Sequence, residues 1–392
     1  VLKSLLASAL VLAHLKISRF TGNEDVKGNM SDSLVVILRI LEFVILFGFL
    51  LFTHEFGHFI ISKLFKVEVE EFGFGFPPRI VRLFRLWGTD FTLNAIPFGG
   101  FVRPKGENDP NVPGGLGSAK PGIRLSVLLG GPLMNILTGV LLFSIVFSQV
   151  GVPQRKIVQI MGVNEGSPAQ AAGILPGDVI ISIEDEPIRS METLSKLVYS
   201  NLGKEITFVV ERSSEKVTVE VTPRTEWPQN EGPIGISMGN PVEQASMLQA
   251  VPFGFEMAYQ QVRTLISLPG QLIAGTIAPE QARFVGPVGM FNIFSQTREL
   301  DEEQQAEAPS QPQGLNTLYL LAVLAVALGI TNLLPIPALD GGRILFLIPE
   351  ILFKKRVPPK YENLLHFIGF AALIALMVYI TAQDIINPIV MP

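Results

Sequence analysis

Four stretches of this chain, near residues 34–61, 125–147, 315–334 and 364–386, are each long and apolar enough to cross a bilayer. The hydrocarbon layer is about 30 Å thick and takes roughly 20 helical residues to span. Backbone groups at that depth have no water to bond, so they must bond within the segment. The expected fold is therefore a polytopic α-helical membrane protein with about four transmembrane helices. Composition agrees, since the 392 residues are 48% hydrophobic and only 17% charged, with a mean hydropathy of +0.41. A net charge of −5 gives no sign of a nucleic-acid partner, and none is expected. The chain has no cysteine, which excludes disulfides and Cys-ligated zinc or iron–sulfur centres. Any metal must be held by carboxylates and by the four histidines, His14, His54, His58 and His366.

The first span is interrupted where interruption is most costly. Within "FVILFGFLLFTHEFGHFIISKLF", residues 43–65, stand His54, Glu55 and His58 in an H-E-x-x-H pattern. Ionisable groups inside a membrane segment point by default to function. On a helix, residues four apart share a face, so the two imidazoles can converge on one ion while Glu55 sits about 100° round the axis. Glu55 is then placed beside the metal as a base for water that the ion acidifies. The competing reading is a structural histidine pair satisfied by neighbours, but two histidines and a glutamate buried in a span need partners of their own.

A catalytic zinc usually takes three protein ligands, so a third is sought. The third span ends in "GITNLLPIPALDGGRILF", which places Asp340 at about the depth of His54 and His58. Asp340 is the candidate; its structural alternative is an N-cap of the following helix. Pro335 and Pro337 cannot sustain a regular helix, so residues 332–339 should be partly extended. Asn332 can hydrogen-bond that freed backbone or an extended substrate. His366 is expected to face a neighbour within the fourth span, and His14, which lacks a spaced partner, to be idle.

Lys and Arg in short loops mark the cytoplasmic side. They crowd the segment after span one (Lys63, Lys66, Arg79, Arg82, Arg85, Arg103, Lys105, Lys120, Arg124) and the connection between spans three and four (Arg343, Lys354, Lys355, Arg356, Lys360). Both segments are read as cytoplasmic, and the long region between spans two and three as extracytoplasmic. Residues 1–29 form an extension of unassigned role, resembling the apolar part of a signal peptide or a weak anchor. Residues 30–65 hold the first span, 66–122 a membrane-associated β-region read as hairpins, and 123–150 the second span. Residues 151–240 alternate apolar and polar in short runs between turns, the pattern of a small β-rich domain. In it, "GSPAQAAGILPGDVIISIEDEPI" resembles part of a PDZ domain, with "GPIGISMG" as closing strand; such domains take peptides by strand addition, though a spacer role is the alternative. Residues 241–314 should supply amphipathic helices, on the membrane surface or against the spans, and a polar linker over 300–314. Residues 315–345 hold the third span and 346–392 the fourth and the C-terminus.

The motifs together resemble the site-2 protease family of intramembrane zinc metalloproteases, in its bacterial branch that includes the regulator-of-sigma-E protease. The resemblance rests on "HEFGH", on "NLLPIPALDGG" with Asn332, Pro335 and Asp340, on "GGPLMN" with Asn135 in span two, and on "GTDFTLNAIPFGGFVRP" and "FVGPVGM". It implies zinc bound by His54, His58 and Asp340, with Glu55 as acid/base and Asn332, Pro335 and Asn135 as supporting residues. It also implies cleavage, in a bacterial plasma membrane, of single-span membrane proteins such as anti-sigma factors or signal-peptide remnants. The active site would lie toward the cytoplasm and the single PDZ domain outside. Two rival readings are an inactive PDZ-bearing adaptor with a structural metal, which would not need Glu55, and a metal transporter, which would carry polar residues along several spans.

Overall fold

The computed structural model describes residues 30–107, 109–228, 231–277 and 283–388; the 1–29 extension, with His14, lies outside them. By contacts the chain divides between Ile45 and Leu46. The first unit holds the start of helix α1 (Met30–Leu64), and the second holds the rest of that helix and the remainder of the fold.

Among the described residues four helices are long and apolar enough to cross a membrane, over Ser33–Leu64, Pro121–Val150, Leu315–Asn332 and Pro359–Ile386. α1 leads into two long strands, β1 (Val69–Leu86) and β2 (Thr89–Pro104). The hairpins expected here are one structure folded on itself. Phe72 pairs with both Val102 and Phe91, Gly73 with Phe101 and Thr92, and Phe74 with Gly100 and Leu93. Segment 72–74 is thus flanked on both sides, and the stretch around Val102 forms an outer edge. The sheet packs on α1 through aromatic side chains. Phe72 and Phe91 each meet the Phe59 ring edge-on, with centroids 5.6 Å apart. Toward the turn, Ile80, Phe84 and Trp87 stay exposed, an apolar rim suited to a membrane interface.

Helix α2 (Pro121–Val150) is the hub of the membrane part. Lipid tails are as apolar as leucine, so helices in a bilayer associate by close shape rather than by hiding apolar surface. Small residues provide that closeness. A Cβ placed on Gly57 of α1 would sit 2.7 Å from the Gly130 carbonyl carbon, and one on Gly130 would sit 2.7 Å from Gly57 O. At the other end of α2, Leu142 and Phe143 join Leu50, Ala258, Leu321, Ala322, Ala325 and Val326 in one buried cluster.

Between the second and third spans the chain forms a β-rich domain preceded by β3 (Val152–Pro153). Its elements are β4 (Val158–Val163), α3 (Pro168–Ala171), β5 (Val179–Ile183), β6 (Glu186–Pro187), α4 (Met191–Ser200), β7 (Ile206–Arg212), β8 (Glu215–Val221) and β9 (Ile236–Gly239). The sheet order is β8-β7-β5-β4-β9, with β6 beside β5, which leaves β9 at an edge. Alternate residues point inward to a core that includes Val158, Ile160, Ile180, Ile183, Phe208 and Val210. β10 (Val242–Glu243) pairs back on β3 and closes the domain at its neck.

α5 (Met247–Ile273) follows, and of its two expected placements it takes the one against the spans. Its Gln261 side chain donates to Val323 O at 2.7 Å, and Ala258 lies in the shared cluster. α6 (Pro287–Glu307) then runs into what was expected to be linker; only residues 308–314 are irregular. The run "DEEQQAE" is polar but a good helix former, and Asp301 within it has a task. Its buried carboxylate accepts the N–H groups of Asn316 and Thr317, the first-turn donors of α7 (Leu315–Leu333) that the helix cannot satisfy itself. After an irregular link come α8 (Asp340–Phe353) and α9 (Pro359–Ile386). Asp384, near the end of α9, likewise caps α6 by accepting the Gly286 and Gly289 N–H groups at 2.8 and 2.9 Å.

Candidate metal centre

α1 and the start of α8 bring His54, His58 and Asp340 together across a sequence gap of some 280 residues. His54 Nε2 lies 3.1 Å and His58 Nε2 3.3 Å from Asp340 Oδ2, and the two Nε2 atoms are 3.2 Å apart. These three atoms form a nearly equilateral triangle, whose circumscribed circle has a radius of about 1.9 Å. Zinc keeps about 2.0–2.1 Å from imidazole nitrogen, so an ion close to the triangle's centre would reach all three. Asp340 Oδ2 is buried and makes no hydrogen bond among the described residues. Lone-pair atoms turned upon one another in an apolar surrounding form a site a cation would satisfy. This is the one such His/Asp/Glu group among the described residues.

The outer nitrogens are held from α2. His58 Nδ1 lies 2.8 Å from Val127 O, so it carries the proton and donates, leaving Nε2 with its lone pair. Asn135, fully buried, has its amide 3.4 Å from His54 Nδ1 and 3.1 Å from Thr53 Oγ1, while Thr53 also bonds Leu50 O at 2.9 Å. Thr53 has one proton and gives it to Leu50 O. Turning the Asn135 amide over keeps its shape, hands NH2 to Thr53, and lets the amide oxygen accept from His54 Nδ1–H. Both histidines then turn an Nε2 lone pair toward the middle of the trio. Gly131 closes the back of the site: a Cβ there would lie 2.8 Å from His54 Nε2 and closer still to His58 Nε2.

Glu55 is turned toward the sheet. Its Oε2 accepts the Val102 N–H at 3.0 Å from the outer edge of β2, and its charge interacts with all three of His54, His58 and Asp340. The link 334–339 is irregular, with Leu334 extended and α7 ended at Leu333. Pro335 lies in that link. Asn332 is not drawn into the trio; its Nδ2 donates to Leu328 O of its own helix at 3.0 Å. Leu339, not Asp340, takes the N-cap position of α8, and Asp340 Oδ2 makes no hydrogen bond among the described residues, so it is free to face the histidines. α8 is held on its other side by two charge pairs that sequence reasoning missed: Arg343 with Glu107, and Arg124 with Glu350 at 2.7 Å. Arg343 and Arg124 drew notice only as cytoplasmic charge; their partners carry no local pattern. His366, expected to face a neighbour, accepts the Ala338 N–H at 2.8 Å.

Comparison with known proteins points the same way. The family model described as "Peptidase family M50" matches residues 42–376. A Clostridium perfringens protein named as a candidate zinc metalloprotease is 31% identical, over 90% of this chain and 100% of its own. Zinc metalloprotease RasP of Oceanobacillus iheyensis is 28% identical over 88% of this chain and 98% of its own. Among solved structures, the PDZ domain of an SdrC-like protein from Listeria monocytogenes is similar at 20% identity. It covers 21% of this chain and 87% of its own, with a TM-score of 0.19.

Proposed function

The chain belongs to peptidase family M50 and is a membrane zinc metalloendopeptidase of the site-2 protease type; from that premise we propose that His54, His58 and Asp340 hold the zinc, that Glu55 is the acid/base, and that the substrates are transmembrane segments of single-span membrane proteins. The observation that carries this reading is the convergence of the three ligand atoms, within 4.8 Å of one another, at the end of an apolar span. When bound, zinc supplies Lewis acidity, which lowers the pKa of an attacking water and polarises the scissile carbonyl. Glu55 takes the water's proton on its carboxylate and delivers it to the departing amine nitrogen. The Val102 N–H holds Oε2 in place while the other oxygen works.

A peptide bond within a helix is shielded by its own hydrogen-bond ladder, so a substrate span must unwind locally. Two features favour the unwound form. The outer edge of β2 runs beside Glu55 and offers strand pairing to an extended segment, and the irregular link 334–339 presents backbone groups on the other strand of chain that reaches the site. Pro335 lies there and Asn332 in the last turn of α7 just before it, and both would contact the substrate backbone. The basic loops support a site toward the cytoplasm of a bacterial plasma membrane, with the β-rich domain outside. β9, at an edge of its sheet, suits PDZ-type capture of a peptide.

Glu55→Gln tests the assignment, since it keeps the zinc ligands and removes the base. The variant should bind zinc as the native chain does and fail to cleave a single-span model substrate in detergent. A variant that still cleaves would remove Glu55 from the mechanism.

A further inference from the structure

The link feeding α8 holds one residue in a conformation its side chain resists. Leu339 N–H bonds Ile336 O at 3.1 Å across Pro337 and Ala338, and Ala338 has φ of 82°. Proline at the second position and positive φ at the third mark a type II turn, where glycine or asparagine normally takes the third place because a Cβ disfavours it. This chain has alanine there. The Ala338 N–H, which the turn does not use, donates to His366 Nδ1 of α9 at 2.8 Å. The same face of α9 fits closely against the turn: a Cβ on Gly369 would lie 2.6 Å from Pro337 O. Phe346 meets the His366 ring edge-on at 5.5 Å and sets its plane. Because Nδ1 accepts, the ring proton is on Nε2, which is buried without a hydrogen-bond partner among the described residues. A donor left unpaired in the interior is unfavourable, so the work of this side chain is at its other nitrogen.

Asp340 stands two residues beyond Ala338. We propose that His366 is a positioning residue for the metal centre: by holding the Ala338 N–H it fixes the turn that aims Asp340 Oδ2 at His54 and His58. This rests on the reading of Asp340 as a zinc ligand. The fourth span thereby reaches the site through one hydrogen bond to backbone, without touching metal or substrate.

The test measures zinc dissociation constants by chelator competition in detergent, with kcat and KM alongside, for His366→Phe, His366→Gln, His366→Asn, Ala338→Gly, His366→Phe with Ala338→Gly, and Asp340→Ala. His366→Phe keeps the ring volume and removes the acceptor, and should weaken zinc about tenfold, as losses around metal ligands do. His366→Gln, the milder probe, moves the acceptor away from the Nδ1 position and should weaken zinc in the same sense. His366→Asn carries an oxygen near that position and should stay close to the native value. Glycine takes positive φ freely, so Ala338→Gly should be close to native alone and should restore most of the loss in the double variant. A general packing defect at His366 would not be relieved by that second change. The proposal is overturned if His366→Phe and His366→Gln hold zinc as tightly as the native chain while Asp340→Ala does not, or if Ala338→Gly restores nothing. Unchanged zinc affinity in Asp340→Ala would overturn the ligand assignment itself, and this proposal with it.

Discussion

Replacing Gly131 by alanine should weaken the metal centre about a hundredfold without removing a ligand. The added methyl carbon would lie 2.8 Å from both His54 Nε2 and Cε1, and closer to His58 Nε2. Non-bonded heavy atoms settle near 3.5 Å, so at least one imidazole must retreat by about 0.7 Å. Metal sites tolerate ligand displacements of about 0.2 Å, so a shift several times larger is incompatible with three-point ligation. The two rings have little room to move, because Nδ1 of each is fixed to α2 through Val127 O and Asn135. Disturbing the groups that orient metal ligands costs about 10–100-fold in affinity, and the upper end is expected here, roughly 3 kcal/mol of binding free energy. Chelator competition in detergent measures it, with Gly122→Ala as the control, since a Cβ at Gly122 meets nothing within 4 Å. Both variants should remain helical and monodisperse. Native zinc affinity in Gly131→Ala would show that the ion does not sit between these rings.

Other outcomes follow from features nearby. Gly57→Leu should separate α1 from α2 and destabilise the chain by about 3 kcal/mol or more, because its Cβ would already overlap the Gly130 backbone; thermal unfolding in detergent reads this. Reversing the Arg343 and Glu107 charges singly should reduce activity, while the double exchange recovers part of it, a coupling that a double-mutant cycle on kcat/KM measures. In the β-rich domain, burial alone would raise the Asp178 carboxyl, but hydrogen bonds from the Arg212 guanidinium and the Leu175 N–H hold it below the usual aspartate range. A depressed folded-state pKa adds stability that is present above about pH 4, the unfolded value, and is lost as pH falls through the folded one. Trp227 fluorescence should therefore report acid unfolding of this domain that is blunted in Asp178→Asn, which has no carboxylate to protonate.

The spans, the two histidines and Asp340 were legible in sequence because each leaves a local pattern: an apolar run of spanning length, a four-residue spacing, a carboxylate at a helix end. Their convergence could be inferred only from depth. What holds them could not be read, because Val102 N–H and Val127 O are backbone groups that every residue carries, and their roles arise from packing. Asn135 could be singled out as supporting but not assigned to His54. His366 was expected to face a neighbour, but its bond to Ala338 could not be read, because it depends on a turn type that alanine conceals where glycine would have announced it. The polar run 300–314 read as linker because its composition resembles one; helix propensity and the capping task of Asp301 make its first half helical.

The distance in sequence between His58 and Asp340 bears on how the protein is made. A chain emerging from the ribosome inserts α1, with two of the three proposed ligand residues, long before α7 and α8 exist. Until Asp340 arrives, two imidazoles and a glutamate in a bilayer form an incomplete site of weak affinity. On the proposed ligand set, a newly inserted chain would be unable to hydrolyse the membrane segments around it until α7 and α8 have followed α1 and Asp340 has joined the two histidines. Assembly itself would serve as the safety catch that soluble proteases obtain from a removable pro-segment.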